Sequence, residues 1–171
     1  MKRKSFLAAI AGMYAGSIVS PLFSQQKSKP SKHPFLIVTK DQFPALREKA
    51  SREPWKSMKA DALARSEKGS RDSAYDLQYF TGAAALAYIL DEPNSQLHAR
   101  RVRDAIVHQY PKLTLVDTGD WTKVLPGLGS FFIAILALDI VHDALSEDDI
   151  RQCEEAIAGR INTMSPSGTW G

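Results

Sequence analysis

The run FFIAILALDIV, residues 131–141, constrains the fold of this chain more than any other stretch. Its residues are apolar at nearly every position, so a helix built from them has no polar face to turn towards water. The run is also much shorter than the roughly 20 apolar residues that a bilayer crossing requires. We therefore expect a helix over residues 127–144 that is buried on all sides, which requires other helices to surround it.

Apolar residues recur at helical spacing through most of the remaining chain and predict five further helices. Thr39 with Gln42, and Ser146 with Asp149, have the spacing of helix-capping pairs. Because the intervening turns are short, neighbouring helices are expected to be antiparallel. The fold class is then all-α, a row of helical hairpins in an inner and an outer layer. The five further helices are predicted over residues 40–50, 54–68, 72–90, 95–110 and from Ser146 onward.

Apolar stripes predict which side of each helix faces the core. On the second predicted helix the inward stripe begins with Trp55 and Met58. On the fourth, Leu97 is expected to face inward, whereas His98 and His108 lie near the polar side.

The first 24 residues have the composition of a secretory signal peptide. MKRK supplies a positive start, and SFLAAIAGMYAGSIVSPLF an apolar stretch interrupted by glycine and proline. We expect cleavage after Ser24 and a periplasmic or secreted protein, with residues 25–32 as a flexible linker. A retained membrane anchor is the alternative, which the glycines and the proline disfavour.

Charge and cysteine content restrict the classes of partner. Cleavage of the leader removes Lys2, Arg3 and Lys4 but no acidic residue, so 19 basic residues remain against 19 acidic ones. A near-neutral chain gives no support for nucleic-acid binding. Cys153 is the lone cysteine, so no internal disulfide can form, and its place on an apolar stripe predicts a buried, inert thiol.

Three segments carry a resemblance to a known family. HPFLIVTKDQFPALREKA followed by PWKSM, GAAALAYILDEPNSQLHARRVRDAIV, and LALDIVHDALSEDDIRQCEEAI resemble the opening part of secreted heparinase II/III-like and alginate-lyase-like polysaccharide lyases. The likeness covers about residues 33–161. It implies an α/α toroid, and six helices would form about half of the roughly twelve that such a toroid uses.

The chain's ending fits an incomplete toroid. The closing SPSGTWG places Trp170 beside the end with no following element to cover it. We therefore expect residues 33–171 to be a toroid-type helical domain truncated at its C-terminus. The missing half would leave an apolar patch exposed on the 127–144 helix.

The resemblance implies a function as well. Such lyases cleave uronic-acid-containing polysaccharides by β-elimination, without a cofactor, so the implied partner is an acidic polysaccharide such as alginate or a glycosaminoglycan. The family's catalytic groups lie mostly beyond the matched segment, so the catalytic residues are unknown and the fragment is expected to be inactive alone. Two alternatives remain: a non-enzymatic helical-repeat module that binds glycan or protein, and an unrelated toroid glycoside hydrolase. The latter would need two carboxylates in one cleft, which the sequence does not locate.

Aromatic residues are the candidates for substrate contact. Asp120 and Trp121 lie in a predicted loop over residues 111–126, where the indole could stack on a sugar ring and the carboxylate could accept a hydroxyl hydrogen bond. A tryptophan that heads a helix can equally plug the core. Tyr75 and Tyr79, four residues apart, form a second aromatic candidate with the same two interpretations.

Polar motifs predict little further chemistry. Asp139 and His142 are three residues apart and could form a carboxylate-oriented base, or His142 could simply interact with the end of its helix. The sequence has no His-x-x-x-His or Cys-x-x-Cys pattern, so we expect no metal site. Gly127 and Gly129 lack the rest of a phosphate-binding loop and are predicted to form a helix-entry turn.

Overall fold

The computed structural model describes residues 33–113 and 121–164. Within these ranges the protein is all-helical, without a strand, as the periodicity predicted. The predicted signal peptide, residues 1–24, the linker, residues 25–32, and the closing segment with Trp170 lie outside the described residues. The six helices are α1 (Phe43–Lys49), α2 (Trp55–Lys68), α3 (Ala74–Leu90), α4 (Ser95–Asp104), α5 (Trp121–Val141) and α6 (Glu147–Met164).

The helix α3 lies at the centre of the fold. It packs against α1, α2, α4 and α5, and ten of its 17 residues are buried. The predicted inward stripe is confirmed, because Leu77 and Ala84 have no exposed surface and Phe80 is almost fully buried. Residues 83–85 are alanines, whose small side chains let neighbouring helices approach α3 closely.

The pair formed by α2 and α3 is an antiparallel hairpin. The guanidinium of Arg65, near the end of α2, lies 5.9 Å from the ring centroid of Tyr79, near the start of α3. At the opposite end, the charge of Lys59 acts on Asp91, directly after α3. The five residues between the helices therefore turn the chain back on itself.

Both predicted capping pairs are present. The Gln42 side-chain oxygen accepts a hydrogen bond from the Thr39 backbone N–H at 2.9 Å, and the Ser146 hydroxyl accepts one from the Asp149 N–H at 3.2 Å. A third cap forms at the start of α3, where the Asp76 N–H donates to the Ser73 hydroxyl at 3.1 Å. These bonds satisfy backbone donors that a helix leaves unpaired at its start.

The helix α5 begins earlier than predicted. It starts at Trp121, so the predicted loop is wrong for residues 121–126, and the predicted entry turn at Gly127 and Gly129 lies inside the helix. Proline this close to a helix start removes one backbone hydrogen bond, which a long helix with many others can tolerate. Gly129 instead serves packing, since a Cβ there would lie 2.7 Å from the Gln78 side-chain oxygen.

One face of α5 is exposed, so the prediction of burial on all sides is wrong for that face. Phe132 is 66% exposed and Ile135 36%, whereas Ala134 and Val141 on the other sides have no exposed surface. The cause is that no element in the described ranges packs over Phe132. Beside this face lies an aliphatic groove of about 550 Å³, lined in part by Ile37 and Leu86. Among the described residues, this face of α5 and the groove beside it are therefore an uncovered apolar surface.

The predicted facing is wrong for four residues. Met58 and Trp55 are 54% and 40% exposed, because the buried stripe of α2 runs through Ala62 and Ser66 instead. On α4, Leu97 is 48% exposed while His98 is 3% exposed. Hydrophobicity alone ranks leucine as the inward residue, but a histidine whose nitrogens are both hydrogen-bonded can occupy the core.

Candidate functional site

Tyr75 and Tyr79 form an aromatic pair on the surface of α3. They are 56% and 45% exposed, with ring centroids 4.6 Å apart and ring planes inclined by 62°. The Tyr79 hydroxyl donates to the Tyr75 hydroxyl at 3.0 Å. The hydrogen bond with Tyr79 also raises the pKa of the Tyr75 phenol. Two rings that brace each other lose little further conformational entropy on binding a ligand.

A guanidinium group lies beside this pair. Arg65 of α2 is within cation–π distance of the Tyr79 ring, and its Nε donates to the Asp61 carboxylate at 2.7 Å. Hydrogen bonding to Asp61 raises the pKa of Arg65, so the guanidinium stays charged. We call Asp61, Arg65, Tyr75 and Tyr79 the tyrosine–arginine surface.

The local sequence explains how these side chains meet. The Ser73 cap sets the start of α3, and the core residues Leu77 and Phe80 set its rotation, so the tyrosines one turn apart point outward. Gly69 ends α2, which leaves Arg65 on the last turn opposite them. The predicted candidate Tyr79 is therefore exposed, and its predicted neighbour Tyr75 contacts it.

Sequence reasoning missed Arg65 and Asp61. Their spacing of four residues on one helix is a detectable signal for an ion pair. Their proximity to Tyr79 depends on how α2 and α3 pack, which the spacing does not reveal.

The other two predicted contact residues cannot be placed at this surface. Asp120 lies outside the described residues. Trp121 is the first residue of α5, rather than part of a loop, and its side chain lies outside what the structure describes.

Asp139 has a different partner from the predicted one. Asp139 is 5% exposed, and its carboxylate pairs with His33 rather than His142, at 2.7 Å from Asp139 Oδ1 to His33 Nδ1. The second oxygen accepts the backbone N–H groups of Phe35 and Leu36, at 3.1 and 3.0 Å. Three donors thus satisfy a carboxylate that would otherwise be costly to bury. Asp139 fastens the extended N-terminal segment, residues 33–38, to α5.

His142 contacts the His33 ring of the same N-terminal segment and makes no hydrogen bond to Asp139. Its ring stacks on the His33 ring, with centroids 3.7 Å apart and planes 19° from parallel. Its Nδ1 lies 3.7 Å from Asp143, whose carboxylate also contacts the Lys40 ammonium at 3.4 Å. Of the two interpretations of His142, a base oriented by Asp139 is therefore wrong, because the N-terminal segment supplies the partner of Asp139. The other interpretation, a histidine that interacts with groups at the end of its own helix, agrees with the contact to Asp143.

A second histidine links α2, α4 and the turn after α3. His98 Nε2 lies 3.1 Å from Asp91 Oδ2, and His98 Nδ1 lies 3.4 Å from the Ser66 hydroxyl. Partial burial would raise the pKa of Asp91, but hydrogen bonds from His98 and Asn94 outweigh it and hold that pKa below its ordinary value. Ser66 is fully buried and donates to the Leu63 carbonyl at 2.9 Å. Ser66, His98 and Asp91 thus form a structural hydrogen-bond network, and the buried Ser66 and His98 are not accessible to a substrate.

The remaining reactive groups are part of the core. Burial raises the pKa of the Cys153 thiol to about 12, which confirms the predicted inert cysteine. Among the described residues, no group of three or more histidine, cysteine or acidic side chains is arranged to hold a metal ion. None of the described helices combines the length and apolarity that a bilayer crossing requires.

Comparisons of the chain with protein families, with curated proteins and with solved structures returned no match.

Proposed function

We propose that this protein binds an acidic polysaccharide through its tyrosine–arginine surface and holds the glycan without cleaving it. The observation that carries the proposal is the exposed Tyr75–Tyr79 pair with a charged guanidinium beside it. In this proposal the helical hairpins belong to an α/α toroid of the polysaccharide-lyase type. The predicted leader would deliver the protein to the periplasm or outside the cell.

The surface suits a sugar for two physical reasons. An exposed tyrosine ring offers an apolar face on which the C–H side of a sugar ring can pack, worth about 1 kcal/mol by analogy with aromatic pairs. The hydroxyls of the pair and the Arg65 guanidinium supply hydrogen bonds at the ring's edge.

The two histidine–carboxylate pairs support binding rather than cleavage. β-Elimination requires a base that reaches the sugar's C5 proton. His98 is buried and bonded to Asp91, and Asp139 has all its hydrogen bonds directed to the N-terminal segment. Both pairs therefore have a structural role that accounts for their contacts.

Affinity electrophoresis and an absorbance assay test this proposal together. The full chain should be retarded in gels containing alginate, chondroitin sulfate or heparan sulfate, and a Tyr75→Ala/Tyr79→Ala variant should migrate as it does without glycan. No ultraviolet absorbance from unsaturated uronates should develop on the same substrates. Unretarded migration of the wild-type chain would refute glycan binding, and growing absorbance would refute the absence of cleavage.

A further inference from the structure

Exposed apolar residues collect around the groove beside α5. Six large ones are 36% to 66% exposed, and each lines the groove or lies within two positions of a residue that does. The six are Phe35, Leu36, Ile37, Leu86, Phe132 and Ile135. We call these residues, together with the groove, the apolar surface. A contiguous patch of this kind on a folded protein marks an interaction site.

The area of the apolar surface reaches what a stable dimer requires. The six residues together expose about as much area as three fully exposed large apolar residues, which is about 600 Å² at about 200 Å² each. The half-buried Leu46, Ile133 and Leu136, which line the groove, add to this area. Two copies that bury the surface against each other would remove about 1,200 Å² from water, and stable interfaces bury about 1,200–2,000 Å² in total.

The polarity of the apolar surface favours a second copy of the same chain. Of the described residues that line the groove, none is charged and only Gln42 has a polar side chain. The Gln42 side-chain oxygen already accepts the Thr39 N–H, so the groove offers little to orient a small polar ligand. In a twofold dimer, charges near the axis approach their own copies, and like charges repel. A groove without charged side chains avoids this repulsion.

The shape of the apolar surface is complementary to itself. Phe132 is 66% exposed on α5, beside a groove of about 550 Å³. A twofold axis between the two features brings Phe132 of each copy to the groove of the other, so both contacts form at once and the assembly closes at two copies. We propose that the protein is a homodimer in which two apolar surfaces pack against each other, with Phe132 of each copy in the groove of its partner. This inference goes beyond the proposed glycan binding and does not depend on it.

Sedimentation equilibrium of the full chain over a wide range of protein concentration tests the inference. Phe132→Glu and Ile37→Glu each place a carboxylate on the apolar surface, at positions that are 66% and 64% exposed and so tolerate the change within one copy. Met58→Glu is the matched control, because Met58 is an apolar residue that is 54% exposed on α2 and does not line the groove. Far-ultraviolet circular dichroism verifies that all three variants keep the helix content of the wild type.

We expect the wild type to be a dimer with a dissociation constant in the micromolar range, as suits an interface of this modest size. Phe132→Glu and Ile37→Glu should each raise that constant by at least about 100-fold, because twofold symmetry introduces every substitution twice and each buries an unpaired carboxylate. Met58→Glu should dimerise as the wild type does.

Three results would overturn the inference: a monomeric wild type, an assembly that grows beyond two copies, or a dimer that Phe132→Glu leaves intact. A monomer that binds phosphatidylcholine vesicles, and loses this binding in Phe132→Glu, would also overturn it, because the apolar surface would then contact lipid. None of these results bears on glycan binding, which the gel-retardation assay tests separately.

Discussion

Replacement of Asp139 by alanine should release the N-terminal segment from α5. The carboxylate accepts three hydrogen bonds, from His33, Phe35 and Leu36, at 2.7 to 3.1 Å. Each bond to a charged acceptor contributes about 1.5–3 kcal/mol, and removing the buried charge returns part of that sum because its desolvation cost disappears. We expect a net loss of about 3 kcal/mol in the free energy of unfolding.

Two further variants make this prediction specific. Asp139→Asn keeps an oxygen that accepts from the backbone N–H groups, and its amide N–H can donate to His33 if that imidazole takes its other tautomer. This variant should therefore lower the free energy of unfolding by only about 1 kcal/mol. Asp143→Ala, on the turn after the same helix, removes a carboxylate that is 36% exposed and pairs with Lys40. Exposed pairs of this kind contribute at most about 1 kcal/mol.

Thermal unfolding and amide hydrogen exchange measure the outcome. For a chain of this size 1 kcal/mol corresponds to about 2–4 °C in Tm, so Asp139→Ala should lower Tm by about 6–12 °C. The amides of Phe35 and Leu36 should lose protection in this variant and keep it in Asp143→Ala. A Tm within 1 °C or so of wild type, with both amides still protected, would refute the reasoning.

Two other predictions concern stability. Gly69→Ala should destabilise the protein by about 1 kcal/mol or more, because the added Cβ would lie 2.5 Å from the Arg65 carbonyl oxygen. Gly159→Ala should instead stabilise the protein by about 0.5–1 kcal/mol, because the added Cβ would meet no described atom within 4 Å beyond its chain neighbours and its own helix backbone, and alanine is the better helix former. Urea unfolding of both variants checks this, and changes of the same sign in their free energies of unfolding would contradict it. Because the pKa of Asp91 is lowered in the folded state, its stabilising effect should be complete above its ordinary value of 3.8 and disappear as pH falls through the folded value. The stability difference between wild type and Asp91→Asn should therefore shrink on acidification, and a difference independent of pH would count against the assignment.

Helical periodicity predicted the parts of the fold that depend on local sequence. The stripe of Leu77, Phe80 and Ala84 is buried as expected, and the Thr39–Gln42 and Ser146–Asp149 caps form. These features follow from the 3.6-residue repeat and from unpaired backbone donors at helix starts, both of which can be read without tertiary information.

Predictions failed where a polar side chain found a distant partner. His98 is buried in place of Leu97 because Asp91 and Ser66 bond to both of its ring nitrogens. Asp139 pairs with His33, which is 106 residues away in the chain, so its spacing from His142 was misleading. Hydrophobicity scales assign a cost to burying such groups but do not include the bonds that offset it.

The sequence predicted the aromatic part of the candidate site but not its charged part. The spacing of Tyr75 and Tyr79 identified an aromatic pair, but whether it faced the core or solvent depended on the rotation of α3. Arg65 joins the pair only through the packing of α2 on α3. Sequence alone therefore located the rings and not the charge beside them.

Mapping of backbone amide shifts during titration with oligo-alginate tests the central claim most directly. Binding at the tyrosine–arginine surface predicts that the largest shifts occur over residues 61–65 and 75–79, and that Tyr79→Ala abolishes them. Shifts concentrated on the exposed face around Phe132, or on α6, would contradict the proposed site.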